Sequence, residues 1–319
     1  MDEMASTRAE ANGHLQRLQE SLGVKGDCND ISDNKLFSIV NAALHILSKE
    51  LYSKPTHFLL ELIQNADDNI FAREYKPRLH FSLYQKEGTG VFRSDCNEIG
   101  FTFQQLDALT QIGNSTKKAA DGRKGYIGEK GIGFKSVFKV ADLVHVASGF
   151  YEFKFNSCKT IGMILPIPSN FPPDDRVKDH TQFLLYLKRN EDYQQIGEDL
   201  GRLKSETLLF LRKLDQLDVT INDKRTTYRL RTDKCSSKFG GEIATVTEDA
   251  DQRATTMNYM IERKTVEDLP SDPRREAIAT SEVVVAFPVK DQITPIVEPQ
   301  QVFAFLPVEN YGFKVSLAP

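Results

Sequence analysis

The chain has 319 residues, enough for one large domain or two of medium size. Hydrophobic residues make up 40% and charged residues 27%, an ordinary globular balance that can fill a sizeable core. A net charge of −4 gives no overall pull towards nucleic acid or an anionic membrane, and there is neither a long apolar run nor a basic–apolar–small leader, so a membrane span and a secretory signal are not expected.

In chain order, residues 1–30 are polar and mixed and read as a loose or partly helical leader. Leu36, Val40, Ala43, Leu47 and Leu51 fall at helical spacing. Thr56 then offers an N-cap for a second helix over about 57–72. Leu79, Phe81 and Leu83 alternate with polar residues and predict a strand, with another at Val91–Phe92. A helix is expected over 103–112. Residues 113–134 are rich in Gly, Ser, Thr and Lys and read as a long loop entering a helix at 134–140. Strands are expected at 143–147, 151–155, 161–165 and 182–187, then a helix over 196–214 and a strand at 219–221. Beyond about residue 226 strand-like runs dominate. The expected division is therefore a leader (1–30), a principal domain (31–225) and a β-rich second region (226–319).

Cys28, Cys96, Cys158 and Cys235 are far apart and form no C-x-x-C pair. That fits reduced thiols in an intracellular setting, cytoplasmic or nuclear. The six histidines show no metal-ligand spacing.

Two segments carry chemistry. Glu61, Asn65 and Asp68 are spaced i, i+4 and i+7 and line one stripe of the second helix. One reading is an amphipathic helix whose polar face meets water. The other is a site, because apolar neighbours wrap widely around the stripe and no Lys or Arg partners it. In that reading Glu61 is the catalytic carboxylate that orients or deprotonates an attacking water, and Asn65 supplies one oxygen to Mg²⁺. The second segment is Gly125-Tyr-Ile-Gly128-Glu-Lys130-Gly131-Ile132-Gly133-Phe134-Lys135-Ser136. Its glycines let successive backbone N–H groups face phosphate oxygens, and Lys130 and Lys135 add positive charge. Neither G-x-x-x-x-G-K-[ST] nor G-x-G-x-x-G occurs, so a P-loop or dinucleotide fold has no support. Upstream, Ser115, Thr116 and Lys117 place hydroxyls beside lysine, which suits phosphate contact or a plain solvated loop.

These segments, in this order, resemble the GHKL ATPases, the group of gyrase, Hsp90, histidine kinases and MutL. The wording is closest to the Hsp90-like modules of sacsin and NO VEIN-like proteins. Glu-Leu-Ile-Gln-Asn-Ala-Asp-Asp (61–68) looks like the first box of that family, and Asn97-Glu-Ile-Gly100-Phe101 like its second. Gly128-Glu-Lys-Gly-Ile-Gly-Phe134 looks like the third, and Thr181-Gln-Phe-Leu-Leu like the last. The resemblance covers roughly residues 31–225. It implies an α/β (α+β) two-layer sandwich, the Bergerat-type fold of the Hsp90 N-terminal ATPase domain, leading into the β-rich region. It further implies ATP and Mg²⁺ as cofactors, Thr181 near the adenine, and a lid containing Ser115, Thr116 and Lys117. Slow hydrolysis with conformational switching, and protein clients, are implied as well; a membrane or nucleic-acid partner is not. One departure stands out. The family's second box is Asp-x-Gly-x-Gly, but here Cys96 stands at the Asp position and Glu98 at the first Gly. A thiol is a poor acceptor for an adenine amino group. Asp95 or Asn97 would have to replace it after a one-residue shift. A non-catalytic nucleotide-binding module is the competing expectation.

Overall fold

The structure, a computed structural model, describes residues 3–24, 35–50, 57–112, 133–234, 242–251, 253–267, 280–290, 294–298, 303–304, 306–307 and 316–318. It is a mixed α/β architecture built on one large sheet. The strands are β1 (Arg78–Lys86), β2 (Thr89–Cys96), β3 (Ala141–Ser148), β4 (Tyr151–Asn156), β5 (Ile167–Pro168), β6 (Thr181–Leu187), β7 (Gln216–Ile221), β8 (Lys224–Lys234), β9 (Glu242–Ala250), β10 (Arg253–Val266), β11 (Ser281–Lys290) and β12 (Thr294–Pro295). Their order is β12-β11-β10-β9-β8-β7-β1-β2-β6-β3-β4-β5, with Ser316–Ala318 pairing β11 as well. Among the described pairs only β1 with β7 is parallel.

Helices α1 (Arg8–Ser21), α2 (Lys35–Glu50), α3 (His57–Asp68), α4 (Phe103–Thr110) and α5 (Asn190–Gly201) complete the fold. Alternation decides which face they cover. Leu79, Phe81 and Leu83 on β1 pair with Cys96, Ser94 and Phe92 on β2, so these six share one face. Phe58 of α3 meets Phe92 edge-on at 5.2 Å, which sets α3 on that face. Gly197 of α5 approaches Leu83, so α5 lies there too. We call this the helix face.

The leader stretch contains α1, capped by Thr7, whose hydroxyl accepts the Glu10 N–H at 3.2 Å. Its Ala11, Leu15 and Leu18 sit in the main core, and His14 bonds the Tyr151 hydroxyl at 2.6 Å. The β-rich region continues the same sheet without interruption, because β7 pairs directly with β8. It adds a second apolar cluster: Leu209 and Phe210 packed with Val246, Tyr259, Ile261 and Val284.

Some elements differ from expectation. Residues 161–165 are turn, not strand: Ile161 has φ +50°, and any side chain at 162 would run into the Asn156 carbonyl. The segment Gly133–Lys139 is a 3₁₀ helix. The long helix expected over 196–214 is α5 followed by a separate 3₁₀ turn at Ser205–Phe210. Helix α3 stops at Asp68, where the Lys213 ammonium caps the carbonyls of Asp68 and Asn69 at 2.8 and 2.6 Å.

Candidate functional site

Helix α3 is held by a residue that the sequence pattern passes over. Asp67 is fully buried and accepts the backbone N–H groups of Arg212, Lys213 and Leu214 at 2.8, 2.8 and 2.9 Å. Three N–H donors satisfy a carboxylate that, among the described residues, no cation pairs with directly. The residues expected to do chemistry lie elsewhere on the helix. Glu61 is largely buried, with His57 Nδ1 one turn away at 3.7 Å. Burial, ahead of the opposing Glu61 charge, lowers the His57 pKa and keeps the imidazole neutral near pH 7. Asn65 is half-buried and Asp68 buried.

The third box meets this helix at one point. A side chain at Gly133 would overlap the Glu61 carboxylate as it stands, so glycine lets that backbone lie against the glutamate without moving it. Beyond it, Phe134 turns into the core and stacks at 5.3 Å from Phe183 and 5.7 Å from Phe155. Its ring is therefore a core element, and only its backbone can face a ligand. Lys135 also turns inward. It is 3% exposed, bonds the Leu109 and Met163 carbonyls, and lies over two phenylalanine rings. It is thus not among the residues free to face phosphate.

The end of β2 assigns its neighbours by parity. Cys96 pairs with Leu79 and with Thr181 of β6, so Cys96 and Thr181 are neighbours on the helix face. Burial raises the Cys96 thiol pKa well above its usual value, with Glu98 adding to it. Thr181 shares a 2.6 Å hydrogen bond with Ser148, whose Oγ accepts the Phe101 N–H at 2.8 Å. Gly100, at φ +102°, makes the turn that presents that N–H. Ser148, unnoticed in the sequence, therefore joins the second box to the last.

Asp95 and Asn97 are engaged away from Cys96. The β1–β2 ladder runs without a register shift, so Asp95 points to the opposite face. There it accepts Gln182 Nε2 at 2.5 Å and Arg93 Nε at 3.0 Å. Asn97 accepts the Arg78 N–H at 2.7 Å and donates to the Lys76 carbonyl at 2.8 Å, which ties the end of β2 to the start of β1. Ser115, Thr116, Lys117, Gly128, Lys130, Gly131 and Ile132 lie outside the described residues.

The described residues therefore bring together Glu61 with Gly133, and Cys96 with Thr181, Ser148 and Phe101. A helix-covered sheet with these boxes stands in an Hsp90-like relationship, as comparison with known proteins bears out. The chain is 31% identical to mitochondrial heat shock protein 90-6 of Arabidopsis thaliana over 34% of its length, or 16% of that protein. It is 27% identical to the chaperone protein HtpG of Shouchella clausii over 56% of its length, or 32% of that protein. Along 98% of its length it is 32% identical to Protein NO VEIN of Arabidopsis thaliana, of which it spans 12%. No family model matches the chain.

Proposed function

We propose that this chain binds Mg·ATP on the helix face in a Bergerat-type site and hydrolyses it slowly, coupling nucleotide state to closure of a lid and to chaperone-like switching. The observation that carries this reading is the placement of Glu61 against the glycine of the third box, with Asn65 one turn further along the same helix. Asn65 offers a neutral hard oxygen, which suits a cation that keeps most of its waters. Glu61 has the reach and chemistry of a general base for water. Gly133, together with Gly128 and Gly131 and the charge of Lys130, would cradle phosphate through backbone N–H groups. Ser115, Thr116 and Lys117 would close over it. Bound Mg²⁺ would supply charge neutralisation at the phosphates; Asn65 would hold it, and Asp68 would support its waters. Thr181 and the Gly100–Phe101 turn would border the base.

A second reading is favoured by one observation. The buried Cys96 thiol stands where an oxygen acceptor would read the adenine amino group, and neither neighbouring oxygen side chain faces the same way. In that reading the chain is a nucleotide-responsive interaction module with weak base selectivity. Calorimetric titration with Mg·ATP, Mg·ADP and Mg·GTP separates the two. Preference for ATP with turnover supports the first, and comparable weak binding of ATP and GTP without turnover supports the second. No binding at millimolar nucleotide would remove both. Glu61→Ala should lower turnover by ~100-fold or more with binding retained, the usual scale for a positioned general base; unchanged turnover takes Glu61 out of this role.

A further inference from the structure

Lys135 follows the third box and is not used by the nucleotide reading, yet its position is costly. The side chain is 3% exposed, and among the described residues no carboxylate pairs with it. Burial alone pulls its pKa down to about 7. A methionine would fill similar space without a desolvation cost. What the lysine adds is donors. Its ammonium reaches the Leu109 carbonyl and, at 2.8 Å, the Met163 carbonyl. Phe134 and Phe155 face it at 5.4 and 5.1 Å from their ring centroids.

Leu109 O is one of the last carbonyls of α4, groups that have no partner inside a helix. Asp107 O accepts the Thr110 hydroxyl at 2.7 Å, and Ala108 O the Gln111 N–H at 3.4 Å. Leu109 O is satisfied from outside, by Lys135. Met163 lies in the 157–165 turn, which Gly162 allows to fold tightly against Asn156. One nitrogen thus ties three places: the C-terminal end of α4, that turn, and the 3₁₀ segment that begins at Gly133 beside Glu61.

We propose that Lys135 is a positioning residue that holds the Gly133 backbone in place against Glu61 by anchoring its 3₁₀ segment to the end of α4 and to the 157–165 turn. The tie itself stands on geometry, and its effect on ligand affinity rests on the nucleotide reading above.

The test is Lys135→Met in the intact chain. Amide hydrogen exchange of α4's last turn and of residues 133–139 should speed up by ~10-fold or more, while the β1–β2 ladder is unchanged. The melting temperature should hold or rise, and Mg·ATP affinity should fall by about 10-fold. This opposition of stability and affinity is what a merely structural lysine would not produce. Unchanged exchange in both segments would overturn the proposal, as would a melting temperature and affinity that fall together with protection lost uniformly. A second measurement needs no variant: ¹⁵N NMR of the wild-type lysines should show one slowly exchanging, hydrogen-bonded side-chain NH signal, and its absence at low temperature overturns the tie. If the wild-type chain binds no nucleotide, the functional reading fails, and exchange and NMR still decide the tie.

Discussion

Strands β1, β2 and β6 build two faces of opposite character from the same twenty-odd residues. On the helix face, Leu79, Phe81, Phe92 and Phe183 pack beneath α3 and the third box, and the polar groups are few and placed: Cys96, Thr181 and Ser148 in a row. On the other face the same rungs give His80, Asp95 and Gln182, a dense network. Gln182 is fully buried and satisfied on both ends, donating to Asp95 and to the Asp175 carbonyl at 2.5 and 2.9 Å. Its oxygen accepts Arg176 Nη1 and the Val177 N–H, both at 2.7 Å. Asp175 in turn holds Lys86 at 2.8 Å and the Tyr84 hydroxyl. Such a network fixes the segment of Asp175, Arg176 and Val177 over one register. The contrast teaches that the densely bonded polar face around Gln182 is scaffold, whereas the face under the helices keeps few polar groups.

The largest effect that would test this division falls on α3. Asp67→Ala removes the acceptor of three backbone N–H groups, of which that of Leu214 is buried. Leaving a buried hydrogen-bonding group without its partner costs about 1–3 kcal/mol. Urea unfolding should show that loss; a change below about 1 kcal/mol would mean that the 212–214 segment finds other partners.

The next contrast is between adjacent residues on opposite faces. Asp95→Asn turns an amide donor towards Gln182 or Arg93 and should cost about 1–3 kcal/mol of stability, the penalty for a mispaired buried group, without changing nucleotide preference. Cys96→Asp restores an acceptor on the helix face. It should destabilise the fold, because Glu98 and Asp67 already crowd that site with negative charge. It should also raise the preference for ATP over GTP by about 10-fold, or 1.4 kcal/mol. If Asp95→Asn shifted base preference and Cys96→Asp did not, the assignment of faces would be wrong.

Much of this was legible in the sequence and some of it could not be. The alternation at Leu79, Phe81 and Leu83 gave the strand and its core face, and Glu61 and Asn65 fall on one helix in the order expected. Parity did the damage at residues 95–97: a motif count allows a one-residue slip, but a ladder does not. Asp67 was overlooked because its partners are backbone groups about 145 residues away, which no local period can announce. Lys135 follows glycines and so suggests a phosphate contact; its turn inward depends on the Leu109 and Met163 carbonyls, again long-range. Ile161–Leu165 has the apolar content of a strand, and only the close approach of Gly162 to Asn156 makes it a turn.

The last contrast is in pH dependence, and here the two faces share a sign and differ in window. His145 on the network face is buried beside Phe171 and Tyr186, and burial lowers its pKa to about 4. Between pH 4 and 6.5 the unfolded chain binds the proton more readily than the folded one, so stability falls as pH drops through that window. Lys135 on the helix face has its folded pKa lowered to about 7 against an ordinary 10.5. The unfolded chain again holds more protons, now between pH 7 and 10.5, so stability rises with pH there. The slope for one proton is at most about 1.4 kcal/mol per pH unit. Melting temperatures across pH 4–9 should show both slopes in the wild type. His145→Phe, which fits between the same rings, should flatten only the acid limb, and Lys135→Met only the alkaline one. A variant that flattened the other residue's limb would mean that the faces are coupled through the sheet rather than separated by it.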